Sequence, residues 1–179
     1  MADTTYISDE MRALIGEETG RQTSEPIDRS DIRRWALAVY YPDPPPRLFW
    51  DEDYAAKTVH GGIVAPEEFN PFAWPMPVAT DENAPSRGAP SPEGYVGGPE
   101  TSFGVAPPPV RFQLNGGIEV EYTGVRMRPG DVITSVGSIA DFHERDGRLG
   151  RMLMSITETR WDNQRGELIK ISRGTLIRY

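Results

Sequence analysis

Apolar and polar residues alternate along most of the last third of the chain. The alternation runs through residues 117–122, 131–142, 152–161 and 168–179, which are rich in β-branched and aromatic side chains. A period of two is typical of antiparallel strands that bury one face and expose the other. The pattern therefore predicts a sheet of long strands, each of about ten residues where the usual strand has five or six.

Two polar links between these stretches carry turn residues. The first contains Asp146-Gly147, and the second contains Asn163 and Gly166. Both combinations favour the tight turns of β-hairpins. The sequence thus predicts that the last three strands follow one another in antiparallel order.

The first of the predicted strands has one apolar face and one charged face. Ile118, Val120 and Tyr122 share one face because side chains two positions apart point the same way, and Glu119 and Glu121 share the other. We expect the apolar set to form the core face and the two glutamates to be solvated.

Helical signals are confined to the front of the chain. They predict a short helix over residues 8–16, a longer one that begins at residue 28 or 30 and ends before Pro42, and one or two turns over residues 51–57. The stretch through Gly20 and Pro26 is expected to be a loop. Helices placed only before the strands favour an α+β fold, with a curved antiparallel sheet and one helix against its concave face.

Prolines and aromatic residues mark a long segment at about residues 70–109. Most of the 17 prolines fall between positions 42 and 109, and the segment and its flank carry aromatic residues that a solvated linker does not need. The segment is either a covering loop whose aromatic side chains lie over a groove or an insertion with its own core. The length of 179 residues favours a single domain, 1–179.

Composition excludes several kinds of partner and site. The net charge of −8 argues against a nucleic-acid surface, and the absence of cysteine excludes disulfides and thiolate chemistry. The sequence shows neither a secretory leader nor an apolar run long enough to cross a membrane, so a soluble, cytoplasmic protein is expected. His60 and His143 stand apart from any nucleophile or metal-ligand spacing, and we expect them to be structural or surface residues with no metal bound.

The order of several short segments resembles the MaoC-like hydratase/dehydratase family, and especially its N-terminal, FAS-type half. The segments that carry the resemblance are residues 32–41, 51–55, 61–66, 116–122, 128–132, 144–150 and 163–168. The resemblance covers nearly the whole chain apart from residues 75–109. It implies a hot-dog fold, in which a long curved antiparallel sheet wraps a central helix and pairs with a second hot dog. It also implies acyl-CoA thioesters as substrates, with coenzyme A as part of the substrate and no separate cofactor.

Catalytic members of this family carry an Asp and, five residues later, a His, which together move protons during hydration of an enoyl thioester. Here Phe49 occupies the position of that His, and Asp43 lies six residues before it as a weak candidate for the acid. Active members continue with Ala-His-Gly, whose backbone N–H polarises the thioester carbonyl; this chain has Ala65-Pro66, and proline has no N–H. The resemblance therefore implies that this chain contributes no catalytic residue.

From the resemblance, the expected protein is a non-catalytic, acyl-CoA-binding subunit of a heteromeric enoyl-CoA hydratase. The Asp/His pair would come from a second MaoC-like hot-dog chain. Substrate-binding residues are expected among the loop aromatics and at the start of the first long strand: Phe69, Phe72, Trp74, Phe103 and Asn115. Ordinary core packing is the alternative for any one of these aromatic residues.

Two other functions remain open at this stage. One is a self-sufficient homodimeric hydratase or thioesterase that uses Asp43, His60 or Glu67. The other is a binding module for acyl-CoA without enzymatic activity.

Overall fold

The computed structural model describes residues 5–74, 94–148 and 150–179. Three α-helices and five strands make up the regular structure. They are α1 (Asp9–Ala13), β1 (Glu18–Thr23), α2 (Arg29–Tyr40), α3 (Glu52–Ala55), β2 (Gln113–Tyr122), β3 (Ile133–Gly147), β4 (Gly150–Asn163) and β5 (Leu168–Arg178). Short 3-10 helices add Arg47–Phe49 and Pro99–Phe103. The combination confirms the predicted α+β class.

All five strands form one antiparallel sheet in the order β1-β3-β4-β5-β2. The predicted hairpins join β3 to β4 and β4 to β5, and both are confirmed. The ladder between β3 and β4 runs from Ile133↔Asn163 to Gly147↔Gly150, with a register shift between Ile139 and Asp141. Such a shift bends a strand and increases its twist, which suits a sheet that curves around other elements.

The stretch expected to be a loop through Gly20 is in fact strand β1. It pairs with β3 at one edge of the sheet, for example Arg21↔Val136 and Thr23↔Thr134. All six of its residues are exposed, so the strand has no apolar alternation by which the sequence could reveal it. Backbone hydrogen bonds to β3 hold this strand in the sheet.

The helices begin close to the predicted starts. Ser8 caps α1, and Asp28 caps α2 by accepting a hydrogen bond from the N–H of Ser30 at 2.7 Å. Asp51 caps α3 in the same way, with its carboxylate accepting from the N–H of Tyr54 at 3.0 Å. In the longest helix, α2, the buried residues are Ile32 and Ala36, which lie four positions apart and so on one helical face.

Two apolar clusters form the core. The larger unites Ile32 and Ala36 of α2 with Ile133 of β3, Phe49 and the segment 63–65. The smaller lies around Met11, Ile139, Phe142 and Leu153, so α1 packs on the far half of β3 and β4. Ser135 and Gly137 alternate with Ile133 and Ile139 and therefore share their inner face, between the two clusters.

Strand β2 departs from the prediction for its apolar face. All ten of its residues are exposed, and Ile118 is 68% exposed, so Ile118, Val120 and Tyr122 are not core residues of this chain. The alternation correctly identified a strand with an apolar face. It could not reveal that β2 is an edge strand whose apolar face no described part of the chain covers.

None of the helices described here is long and apolar enough to span a bilayer.

Candidate functional site

Asp43 and Phe49 lie in different environments. Phe49 is buried in the larger core cluster, and its ring lies 5.9 Å from the ring of Tyr40. Asp43 is exposed after the end of α2, where its N–H donates to the carbonyl of Tyr40 at 2.8 Å. An exposed carboxylate and a buried phenyl ring do not form a proton-transfer pair.

The two histidines lie at separate places in the described chain. His60 follows α3, and its backbone N–H donates to the hydroxyl of Thr58 at 3.2 Å. His143 lies on β3, where its Nδ1 is 3.3 Å from a carboxylate oxygen of Asp141, with both side chains about half exposed. Within the described part of the chain, no group of three His, Asp or Glu side chains is placed to hold a metal ion.

The segment 63–67 offers no free backbone donor at the position where the resemblance would imply one. The N–H of Ala65 donates to the carbonyl of Met127 at 2.8 Å, and Pro66 has no N–H. The guanidinium of Arg126 donates to the carbonyl of Ala65 at 2.6 Å and lies 3.5 Å from the carboxylate of Glu67. The polar groups of this segment are therefore used in contacts within the fold, whereas an oxyanion hole has donors that point into a site.

Three of the predicted substrate-binding residues gather in one place. Phe69, Phe72 and Trp74 line a cavity of about 350 Å³ beside β1 and the start of α2. Trp35 lies edge-on to Phe69 at 5.7 Å and to Trp74 at 6.2 Å between ring centroids. We call this space the aromatic cavity.

A buried lysine lies behind these aromatic rings. Lys170 is 7% exposed, and its Nζ is 4.3 Å from the ring centroid of Trp161 and 5.9 Å from that of Tyr122. Its hydrogen-bond acceptor is the carbonyl of Phe69, at 3.5 Å. Burial lowers the pKa of Lys170, and the nearby Glu68 raises it to a smaller extent.

A larger cavity of about 820 Å³ lies over the inner face of β1, β3 and β4. Every residue that lines it is polar or glycine, and we call it the polar chamber. The uncharged polar side chains that line it include Gln22, Thr101, Ser102, Ser135 and Thr159. Its volume falls in the range of about 300 to 1,000 Å³ typical of small-molecule sites.

A third cavity of about 540 Å³ lies over β2, β4 and β5. Leu114, Ile118, Leu176 and Pro99 give it apolar walls, and we call it the apolar chamber. Asn115, predicted to bind substrate, lines this chamber. The predicted Phe103 lines none of the three cavities and packs against the smaller core cluster.

The 3-10 helix Pro99–Phe103 lies between the two chambers. Thr101 and Ser102 border the polar chamber, and Pro99 borders the apolar one. On the sheet below, Thr159 borders the polar chamber and Thr157 borders the apolar chamber. These two threonines lie two positions apart on β4. The helix and this pair of threonines therefore divide one inner surface into two neighbouring spaces.

A buried ion pair fixes this helix to the sheet. Arg178 and Glu100 are both 0% exposed, and the guanidinium donates to both carboxylate oxygens. The same guanidinium donates to the hydroxyl of Ser155 at 2.8 Å, and the N–H of Gly98 donates to Glu100 at 3.1 Å. We call Arg178, Glu100 and Ser155 the clasp.

Sequence reasoning missed both chambers and the clasp. A signal for the polar chamber was present, because β3 reads Ile133-x-Ser135-x-Gly137-x-Ile139 on one face. Small polar residues between two core isoleucines indicate a gap in the core. The clasp had no such signal, since Glu100 and Arg178 are far apart in the chain.

A family model described as FAS1-like, dehydratase domain region, matches residues 13–172. No curated protein sequence matches the chain.

Solved structures resemble the chain over most of its length. A chain of the ChsH1-ChsH2 complex from Mycobacterium tuberculosis has a TM-score of 0.63 and 15% identity, covering 97% of this chain and 90% of that chain. The R-hydratase PhaJ1 from Pseudomonas aeruginosa has a TM-score of 0.51 and 15% identity, with 90% and 79% covered. A MaoC-like dehydratase from Rhodospirillum rubrum has a TM-score of 0.50 and 15% identity, with 89% and 90% covered. These likenesses confirm the predicted hot-dog fold.

Proposed function

Because the chain belongs to the FAS1-like family of MaoC-like dehydratase domains, we propose that it is one subunit of a heteromeric enoyl-CoA hydratase. In this proposal it shapes the acyl-CoA site and leaves proton transfer to a partner hot dog. The observation that carries the proposal is the environment of the two residues at the expected catalytic positions. Phe49, which the resemblance places at the family's His position, lies inside the core, and Asp43 lies exposed on the surface.

Hydration of a 2-enoyl thioester needs a base that takes a proton from water and an acid that delivers a proton to the α carbon. The buried phenyl ring of Phe49 can do neither. Ala65 uses its N–H within the fold, and Pro66 has none, so a donor for the thioester carbonyl also has to come from elsewhere. The proposal assigns all of these groups to the partner chain, with coenzyme A entering as part of the substrate and no separate cofactor.

This chain contributes space in place of proton transfer. The polar, apolar and aromatic cavities hold about 820, 540 and 350 Å³. Residues for acyl binding in this proposal are Asn115 and Leu176 in the apolar chamber and Phe69, Phe72 and Trp74 in the aromatic cavity. Phe103 supports the smaller core cluster instead.

Strand β2 is the proposed surface for the partner. Within the described chain it pairs only with β5, so the backbone groups of its outer edge are free for another strand. Ile118, Val120 and Tyr122 lie exposed along it, and an exposed apolar edge favours pairing with a second chain. One of the similar structures, the ChsH1-ChsH2 complex, is itself an assembly of two different proteins.

The test is a hydration assay with crotonyl-CoA on the purified chain and on the chain co-expressed with a neighbouring hot-dog reading frame that has the intact Asp and His. We expect hydration only by the co-expressed complex. Hydration by the purified chain alone, abolished by Asp43→Asn, would instead establish a self-sufficient enzyme. Tight thioester binding with no hydration in any complex would establish a binding module.

A further inference from the structure

The polar chamber has walls that suit an oxygen-bearing ligand. We propose that it binds a hydroxyl or carbonyl group on the acyl chain beyond the β carbon, with the hydroxyls of Ser135 and Thr159 as hydrogen-bond partners. This inference rests on the proposed function, because it assumes that the ligand is an acyl-CoA. It adds a substrate class: an oxygenated acyl chain in place of a plain alkyl chain.

Ser135 is the side chain that carries the inference. It is 3% exposed, yet its hydroxyl has no hydrogen-bond partner among the residues that the structure describes, and it lines the polar chamber. The two other buried serines are both paired. Ser24 accepts from the N–H of Ile133 at 2.9 Å, and Ser155 accepts from Arg178 at 2.8 Å. The Ser135 hydroxyl is not sealed off from the chamber, so water or a ligand oxygen that enters the chamber can become its hydrogen-bond partner.

The floor of the chamber keeps further hydroxyls open to it. Gly137 lies between Thr19 and Thr159, and a Cβ at this position would lie 2.7 Å from the Oγ1 of Thr19 and 3.8 Å from that of Thr159. The hydroxyl of Thr159 has no hydrogen-bond partner within residues 5–74, 94–148 and 150–179. Glycine thus leaves the floor flat, with threonine hydroxyls on either side of it.

The roof of the chamber is polar as well. Thr101 and Ser102 form it, and the clasp holds their helix in place through Glu100. A rigid roof matters because hydrogen bonds discriminate between ligands only where the donors and acceptors are held in position.

An alkyl chain is a poor occupant of such a space. It would displace water from the hydroxyls without replacing the hydrogen bonds, and each group left unpaired weakens its binding. A ligand oxygen restores those bonds. Sites that hydrogen-bond a substrate hydroxyl reject the analogue that lacks it far more strongly than apolar pockets reject an extra methylene. The neighbouring apolar chamber, with Leu114, Ile118 and Leu176, is the better place for the alkyl part.

The experiment measures binding of octanoyl-CoA and of its derivatives with one hydroxyl beyond the β carbon by calorimetry, to the full chain and to the co-expressed complex. The wild-type protein is expected to bind at least one hydroxylated derivative about tenfold more tightly than octanoyl-CoA. Ser135→Ala and Thr159→Val are each expected to reduce that preference about fivefold. The matched control is Ser138→Ala, three positions from Ser135 and on the other face of β3.

Octanoyl-CoA binding as tightly as every hydroxylated derivative would overturn this inference and leave the proposed function standing. A preference that survives both substitutions would also overturn it, since the hydroxyls would then play no part. Failure of every acyl-CoA to bind in both preparations would overturn the proposed function together with the inference. The wild-type comparison decides the matter even if a variant does not fold.

Discussion

Removing Glu100 should be among the most destabilising single substitutions in the described chain. Glu100→Ala leaves the guanidinium of Arg178 buried at 0% exposure without its counter-charge, and the N–H of Gly98 loses its acceptor. Breaking a buried ion pair by removing one partner costs about 3 to 5 kcal/mol. At about 2 to 4 °C per kcal/mol for a chain of this size, the melting temperature should fall by roughly 6 to 20 °C.

Thermal denaturation followed by circular dichroism measures this difference. The control is Glu18→Ala, which removes a carboxylate that lies 2.9 Å from Arg21 in an exposed pair and should lower the melting temperature far less. The double variant Glu100→Leu with Arg178→Met should recover most of the lost stability, because no charge then remains buried. A loss for Glu100→Ala as small as that of the control, or a double variant no more stable than the single one, would refute the reasoning.

Three further predictions concern the clasp, Lys170 and strand β2. Gly98→Ala should lower the melting temperature, because its Cβ would lie 2.6 Å from a carboxylate oxygen of Glu100 and would overlap Arg178. The control Gly62→Ala places its Cβ in open space and should not lower the melting temperature. Equal melting temperatures of the two variants would contradict this prediction. Since burial lowers the pKa of Lys170, the unfolded state binds more protons, so wild-type stability should rise relative to Lys170→Met as the pH approaches the ordinary lysine pKa of about 10.4. Denaturant titrations at several pH values check this, and a stability difference that stays constant with pH would contradict it. Ile118→Lys should make the two chains of the co-expressed complex elute separately in size-exclusion chromatography. The control Leu37→Lys changes an exposed apolar residue of α2 and should leave the complex intact. A complex that survives Ile118→Lys would contradict the assignment of β2 as the partner surface.

Local signals predicted the elements whose residues carry their own evidence. Caps at Ser8 and Asp28 marked two helix starts, because a cap and its N–H partner are close in sequence. Alternation and turn residues marked β3, β4 and β5 in the same way. Strand β1 escaped because its six residues are all exposed and polar, and only the ladder to β3 makes it a strand.

The site was less predictable because it depends on which faces are covered. Alternation gave β2 an apolar face but could not say whether this chain or another one covers it. The aromatic residues Phe69, Phe72 and Trp74 were found by composition, and they do line one cavity. The polar chamber joins β1, Thr101 and Thr159, which are distant in sequence, so only the tertiary structure brings its hydroxyls together.

The most direct test of the account removes every acid or base that this chain offers for catalysis and then measures the hydration rate of the complex. The triple variant Asp43→Asn, His60→Gln and Glu67→Gln, co-expressed with the partner hot dog, should hydrate crotonyl-CoA at the wild-type rate, because the proton-transfer pair belongs to the partner. A rate that falls by a factor of about 100 or more, the scale of a lost general acid or base, would show that this chain takes part in proton transfer and would contradict the account.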